Sequence, residues 1–99
     1  MNLNISAGVQ LKLANKIPPV SREQIIECFG NIEGKFLLDT RAVHQSDPPT
    51  VWFIAETNDG RKLKIAFIQR GTTVTIRTAY DPNSVELELY ARLGLGQTK

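Results

Sequence analysis

The chain has 99 residues, 41% of them apolar, a net charge of +2 and a single cysteine. That length is one domain, residues 1–99 with a frayed tail over 95–99, able to bury roughly 60–70% of the surface its unfolded chain exposes. It excludes an intramolecular disulfide and a membrane-spanning run of about 18 apolar residues, and the modest charge points to no particular partner.

The N-terminal stretch MNLNISAGVQLKLANK lacks the basic start and apolar run of a secretion signal, so a cytoplasmic chain is expected. Within it, residues 6–16 are a helix candidate: Ser6 can cap it, and Val9 and Leu13 recur on one face. IPPV ends it, because proline cannot donate to the helix ladder. SREQIIECFGN is a second helix, over residues 21–29. Ser21 with Gln24 is a capping box, Val20 and Ile25 form a hydrophobic staple, and Gly30 is the stop. Cys28 lies on its apolar side, where a thiol is inert packing.

The period then changes. KFLLDTR, TVWFIAET, RKLKIAFIQ and TTVTIRTAY are strand candidates rich in β-branched and aromatic residues. Short loops predict four consecutive antiparallel strands. DPNSVELELYARLG is a closing helix, capped by Asp81, with Pro82 in its first turn and Gly94 after its end. If Asp59 and Gly60 form the first two-residue turn and Arg70 and Gly71 the second, Trp52 faces Phe67 and Phe67 faces Val74, while Ile54 faces Ile65 and Ile65 faces Ile76. The two N-terminal helices would cover that face in a two-layer α+β domain.

The same pairings place Lys64 opposite Arg77 on the other face. Like charges paired across strands cost up to about 1 kcal/mol, which leaves three readings: a phosphate-binding floor, a solvated face that discourages aggregation, or pairing with Glu86 or Glu88 of the last helix. Between residues 61 and 80 there are five basic residues, Arg61, Lys62, Lys64, Arg70 and Arg77, and no acid. His44, the chain's single histidine, lies in a polar loop with Arg41 and ahead of Pro48 and Pro49. Its ordinary titration range suits acid–base work, although a loop histidine is more often a surface residue. One His and one Cys cannot make a zinc site of the Cys/His kind. The acids do not cluster as magnesium ligands do, and no phosphate-binding glycine loop or nucleophile elbow is present. No metal and no cofactor are expected.

SREQIIECF, GRKLKIAFI and VTIRTAYDPNSVELELYARL resemble small bacterial toxins of the BrnT kind, in the RelE/ParE superfamily. The resemblance covers most of the chain, from about Ser6 to Gly94, and rests mainly on fold markers. It implies a metal-independent ribonuclease held in check by an antitoxin protein. In such enzymes, basic and aromatic side chains on the sheet promote attack of an RNA 2′-hydroxyl on the adjacent phosphate. On that reading Lys64 and Arg77 hold phosphate in the catalytic centre and His44 or Tyr80 moves the proton. Arg41, Arg61 and Lys62 would be further phosphate contacts. Two departures stand out: Ile17 follows Lys16 where BrnT-like chains usually carry histidine, and the last strand ends RTAYDP rather than in a Ser-Ala-Arg sequence. The alternative is a non-catalytic binding module of the same fold with a protein or anionic partner.

Overall fold

The structure is a computed structural model that describes residues 1–40 and 46–96. Its strands are β1 (Asn2–Asn4), β2 (Leu37–Leu38), β3 (Val51–Glu56), β4 (Lys62–Arg70) and β5 (Thr73–Tyr80). Its helices are α1 (Ala7–Ala14), α2 (Arg22–Gly30) and α3 (Ser84–Leu93). The class is α+β, but the sheet is five-stranded and mixed, in the order β1-β5-β4-β3-β2. The added strand is β1, which runs parallel to β5. Asn and Leu alternate there with the period of a strand, over too short a stretch to stand out in the sequence.

The helix ends follow local chemistry. Ser6 caps α1, and Ser21 and Gln24 form the expected capping box on α2. The cap of α3 is Asn83, in a capping box with Glu86, not Asp81. Asp81 is held instead by Arg61, and Asn83 is the residue at the right spacing from Glu86.

Both expected hairpin registers are corrected. The β3–β4 loop has three residues, with the Thr57 N–H donating to the Arg61 carbonyl at 2.8 Å and Gly60 at φ 86°. Glycine at that left-handed position closes a three-residue hairpin. The pairing therefore slides by one residue: Phe53 faces Ile65, Ile54 faces Lys64 and Trp52 faces Ala66. Such a slip exchanges the two faces of a strand. In the second hairpin Arg70 faces Thr73 and Phe67 faces Ile76, so Gly71, at φ 57°, and Thr72 form the turn. Arg77 is then an extra residue in β5, because Phe67 pairs with Ile76 while Ala66 pairs with Thr78. This bulge exchanges the faces of β5 again, leaving Tyr80 rather than Arg77 opposite Lys64.

The expectation of two helices over Trp52 and Ile54 is corrected with the register. α2 covers the opposite face, where Phe29 meets Phe53 and Phe67 at centroid distances of 4.8 and 5.3 Å. α1 packs along β5. The face with Trp52 and Ile54 lies under α3, whose Tyr90 ring is 5.6 Å from that of Trp52. Trp52, Ile54, Ile65, Phe67, Val74 and Ile76 are nonetheless all buried, because helices lie on both faces of the sheet.

β2 is cut short by α3. Extending its pairing of Leu37 with Trp52 would set Lys35 opposite Ile54. The Tyr90 hydroxyl occupies that place instead, donating to the Lys35 carbonyl at 2.7 Å while the Ile54 N–H faces its oxygen. The Lys35 N–H turns to the Gly94 carbonyl at 3.0 Å. A Cβ on Gly34 would lie 2.8 Å from the Tyr90 hydroxyl and from the Gly94 carbonyl, and one on Gly94 would run into the Tyr90 ring. Both glycines are needed for the approach.

Candidate functional site

The face under α3 carries the polar chemistry. Lys64 projects from the middle of the sheet and is 7% exposed. Its ammonium lies 4.4 Å from the centre of the Trp52 ring and 5.6 Å from that of Tyr80. Glu86, one turn into α3, accepts from Lys64 Nζ at 2.8 Å and from the Tyr80 hydroxyl at 2.5 Å on the same oxygen, Oε2. Its other oxygen, Oε1, accepts the Asn83 N–H of the cap at 3.0 Å. One carboxylate thus ties the helix start to the sheet and neutralises the buried ammonium. Of the three readings of Lys64, pairing with the last helix is the one the structure shows.

The protonation states follow. Burial pushes the Glu86 carboxyl up, but the hydrogen bonds from Lys64, Tyr80 and Asn83 outweigh it and hold it below its usual range. Burial, then the contact with Glu86, pushes the Tyr80 hydroxyl up, so it keeps its proton and acts as a donor.

Arg61 is likewise committed inside the molecule. Nε and Nη2 hold both oxygens of Asp81, Nη2 also donates to the Pro18 carbonyl, and Nη1 donates to the Pro19 carbonyl and to Gln24. Those contacts use all the donors of a guanidinium and lock the IPPV connection onto the β3–β4 turn. The hydrogen bonds from Arg61 hold the Asp81 carboxyl below its usual range. Lys62 is exposed and faces Glu56 across the hairpin. Arg77 is exposed at the bulge. The expected grouping therefore separates: Lys64 and Tyr80 come together, Arg61 belongs to Asp81, and Arg77 is not the neighbour of Lys64. Arg41 and His44 lie outside the described residues.

Beside this cluster, a cleft of about 240 Å³ opens between the edge of β3 and α3. Ile54, Leu87, Tyr90, Ala91 and Leu95 form its apolar wall, and Asn31, Glu33, Glu56 and Lys62 its polar rim. Its position depends on the slipped register and on the Tyr90 wedge, which the sequence pattern did not reveal. Cys28 is buried and donates weakly to the Ala55 carbonyl at 3.6 Å; burial raises its pKa to about 11. Among the described residues no group of His, Cys, Asp and Glu is placed to hold a metal ion, and no helix is long and apolar enough to cross a membrane.

No protein-family model, curated protein or solved structure matches the chain. The likeness to BrnT toxins thus stands on its quoted residues alone, and function has to be argued from the geometry.

Proposed function

We propose that the chain is a non-catalytic module that binds a protein partner. The observation that supports this best is the commitment of Lys64, the centre of the expected anion floor, to Glu86 beneath α3. A phosphate floor needs donors open to a ligand, and Arg61 has none left over. Tyr80, whose proton is held by burial and by Glu86, is a poor general base. Among the described residues, the cleft at the β3 edge is open to a ligand. The test is expression without a partner, followed by incubation of the purified protein with RNA in a chelator. Unimpaired growth and intact RNA are expected. Cleavage that disappears in Arg77→Ala would overturn the reading.

A second reading, a BrnT/RelE-like ribonuclease toxin with an antitoxin partner, is favoured by one observation. Arg77 sits in a β-bulge and is exposed, and bulges re-aim side chains beside active sites. On this reading RNA cleavage follows a group titrating near neutral pH, and His44→Gln removes it.

A further inference from the structure

We propose that two copies of the chain associate through the outer edge of β2, about a two-fold axis at Leu37 that joins their sheets edge to edge. The inference goes beyond the binding-module reading and does not depend on it.

The backbone sets the pairing. The Asp39 N–H donates to the Thr50 carbonyl at 2.9 Å, and the Lys35 carbonyl accepts from the Tyr90 hydroxyl. Residues 35, 37 and 39 thus turn their backbone groups toward β3 and α3, and alternation turns those of Phe36 and Leu38 outward. Among the described residues, these two N–H groups and two carbonyls have no partner. In an antiparallel pair, two residues directly opposite can exchange both bonds. A two-fold axis brings the same strand back antiparallel. With the axis at Leu37, Phe36 stands opposite the partner's Leu38, and Leu38 opposite the partner's Phe36, so all four outward groups of each copy are satisfied. An axis at Phe36 or at Leu38 would pair that residue with itself and leave the other facing residue 34 or residue 40.

The side chains favour a second copy as the occupant. KFLLD, residues 35–39, complements itself about Leu37. Phe36 and Leu38 are 43% and 60% exposed. They share one face of the strand, the face on which the Phe36 ring packs 5.5 Å from that of Phe53. In the dimer, Leu38 of each copy lies beside Phe36 of the other, an apolar cross-strand pair that stabilises a sheet. On the other face, exposed Lys35 comes level with the partner's Asp39, opposite in charge, at both ends of the pairing. Edge strands that stay single carry charges, proline or a cover, and β2 itself is two leucines. At the far edge of the sheet, by contrast, Arg22 Nη2 covers β1 by donating to the Leu3 carbonyl at 3.3 Å.

Sedimentation equilibrium of the full chain tests the association. A contact this short belongs to the weak class of interfaces, so the protein is studied at about 1 mM. The expected mass is twice the 11.0 kDa of one chain, returning to that of one chain on dilution. Exchange of the Phe36 and Leu38 amides should be about tenfold slower in the concentrated sample than in the dilute one. A single-chain mass at about 1 mM, or slowing confined to another surface, would overturn the proposal. Leu38→Lys changes an exposed position, and its circular dichroism checks the fold; it should weaken association at least about tenfold. Undiminished association of that variant, folded, would also overturn the proposal. Cysteine crosslinking reads the axis. With the axis at Leu37, the two Leu37 positions lie about 4.5 Å apart at Cα, within reach of a disulfide, and the two Leu38 positions lie diagonally about 7–8 Å apart, beyond it. Native Cys28 is buried and stays out of the reaction. Leu37→Cys should therefore crosslink faster than Leu38→Cys in an oxidising glutathione buffer; the reverse order would contradict the axis.

Discussion

Lys64 and Glu86 depend on each other. An ammonium in the middle of a sheet under a helix is tolerated when a carboxylate and aromatic faces replace its water, and Glu86, Trp52 and Tyr80 do so. Removing one partner leaves the other buried and unpaired, so Glu86→Gln should lower stability by about 3 kcal/mol at pH 7, read from denaturant unfolding. A loss no larger than a surface substitution would refute the role given to the pair. The pH dependence has a definite sign. Folding holds the Glu86 carboxyl below its ordinary value of 4.5, so the folded state binds that proton more weakly than the unfolded chain. Its contribution is complete above pH 4.5 and is lost as pH falls through the depressed value. Asp81, held down by Arg61, acts in the same direction from its ordinary 3.8. Glu86→Gln should therefore weaken, not abolish, the acid dependence of wild-type unfolding. Cys28 gives a separate check at this scale. With a pKa of about 11 and no exposure, it should resist iodoacetamide at neutral pH until denaturant opens the fold; rapid labelling of the native protein would contradict its placement.

Elements whose signals are local were legible in the sequence. Ser6, Ser21 and Gln24 announced the starts of α1 and α2, and runs rich in β-branched and aromatic residues announced β3, β4 and β5. The pairing between strands was not legible, because it turned on whether Asn58 joined Asp59 and Gly60 in the loop and on an extra residue at Arg77. Asn-Asp-Gly allows a two- or three-residue hairpin, and burial on both faces removed the polar alternation that would have chosen between them. The candidate site inherited that ambiguity: Lys64 was found, along with Glu86 as one of its three readings, but its cross-strand neighbour was misassigned. The Tyr90 wedge was hidden for another reason, since it joins residues far apart in sequence. It yields its own test. Gly34→Ala forces a methyl against the Tyr90 hydroxyl and the Gly94 carbonyl and should cost about 1–3 kcal/mol in denaturant unfolding, whereas Gly8→Ala, in open space on α1, should be neutral or stabilising. Equal effects would show that the close approach is absent.

At the scale of the molecule, helices on both faces explain why the core was identified correctly from a wrong register. Trp52, Phe53, Ile54, Leu63, Ile65, Phe67, Val74 and Ile76 of the three long strands are buried on one side or the other, so Ile65→Ala should cost about 2–5 kcal/mol whichever face it occupies. The face assignment decides instead which charges meet solvent, and through them the function. In the expected register Lys64 and Arg77 would stand together as an open anion floor; in the observed one, α3 closes over Lys64 and the bulge sends Arg77 elsewhere. The most direct measurement is a titration of the protein with sulfate and with a short RNA, observed at the Lys64 side chain by NMR. The account predicts that the Lys64 signal does not move as either anion is added, and that it moves in Glu86→Gln without any anion. A saturable shift of Lys64 in the wild-type protein, weakening as salt rises, would contradict it.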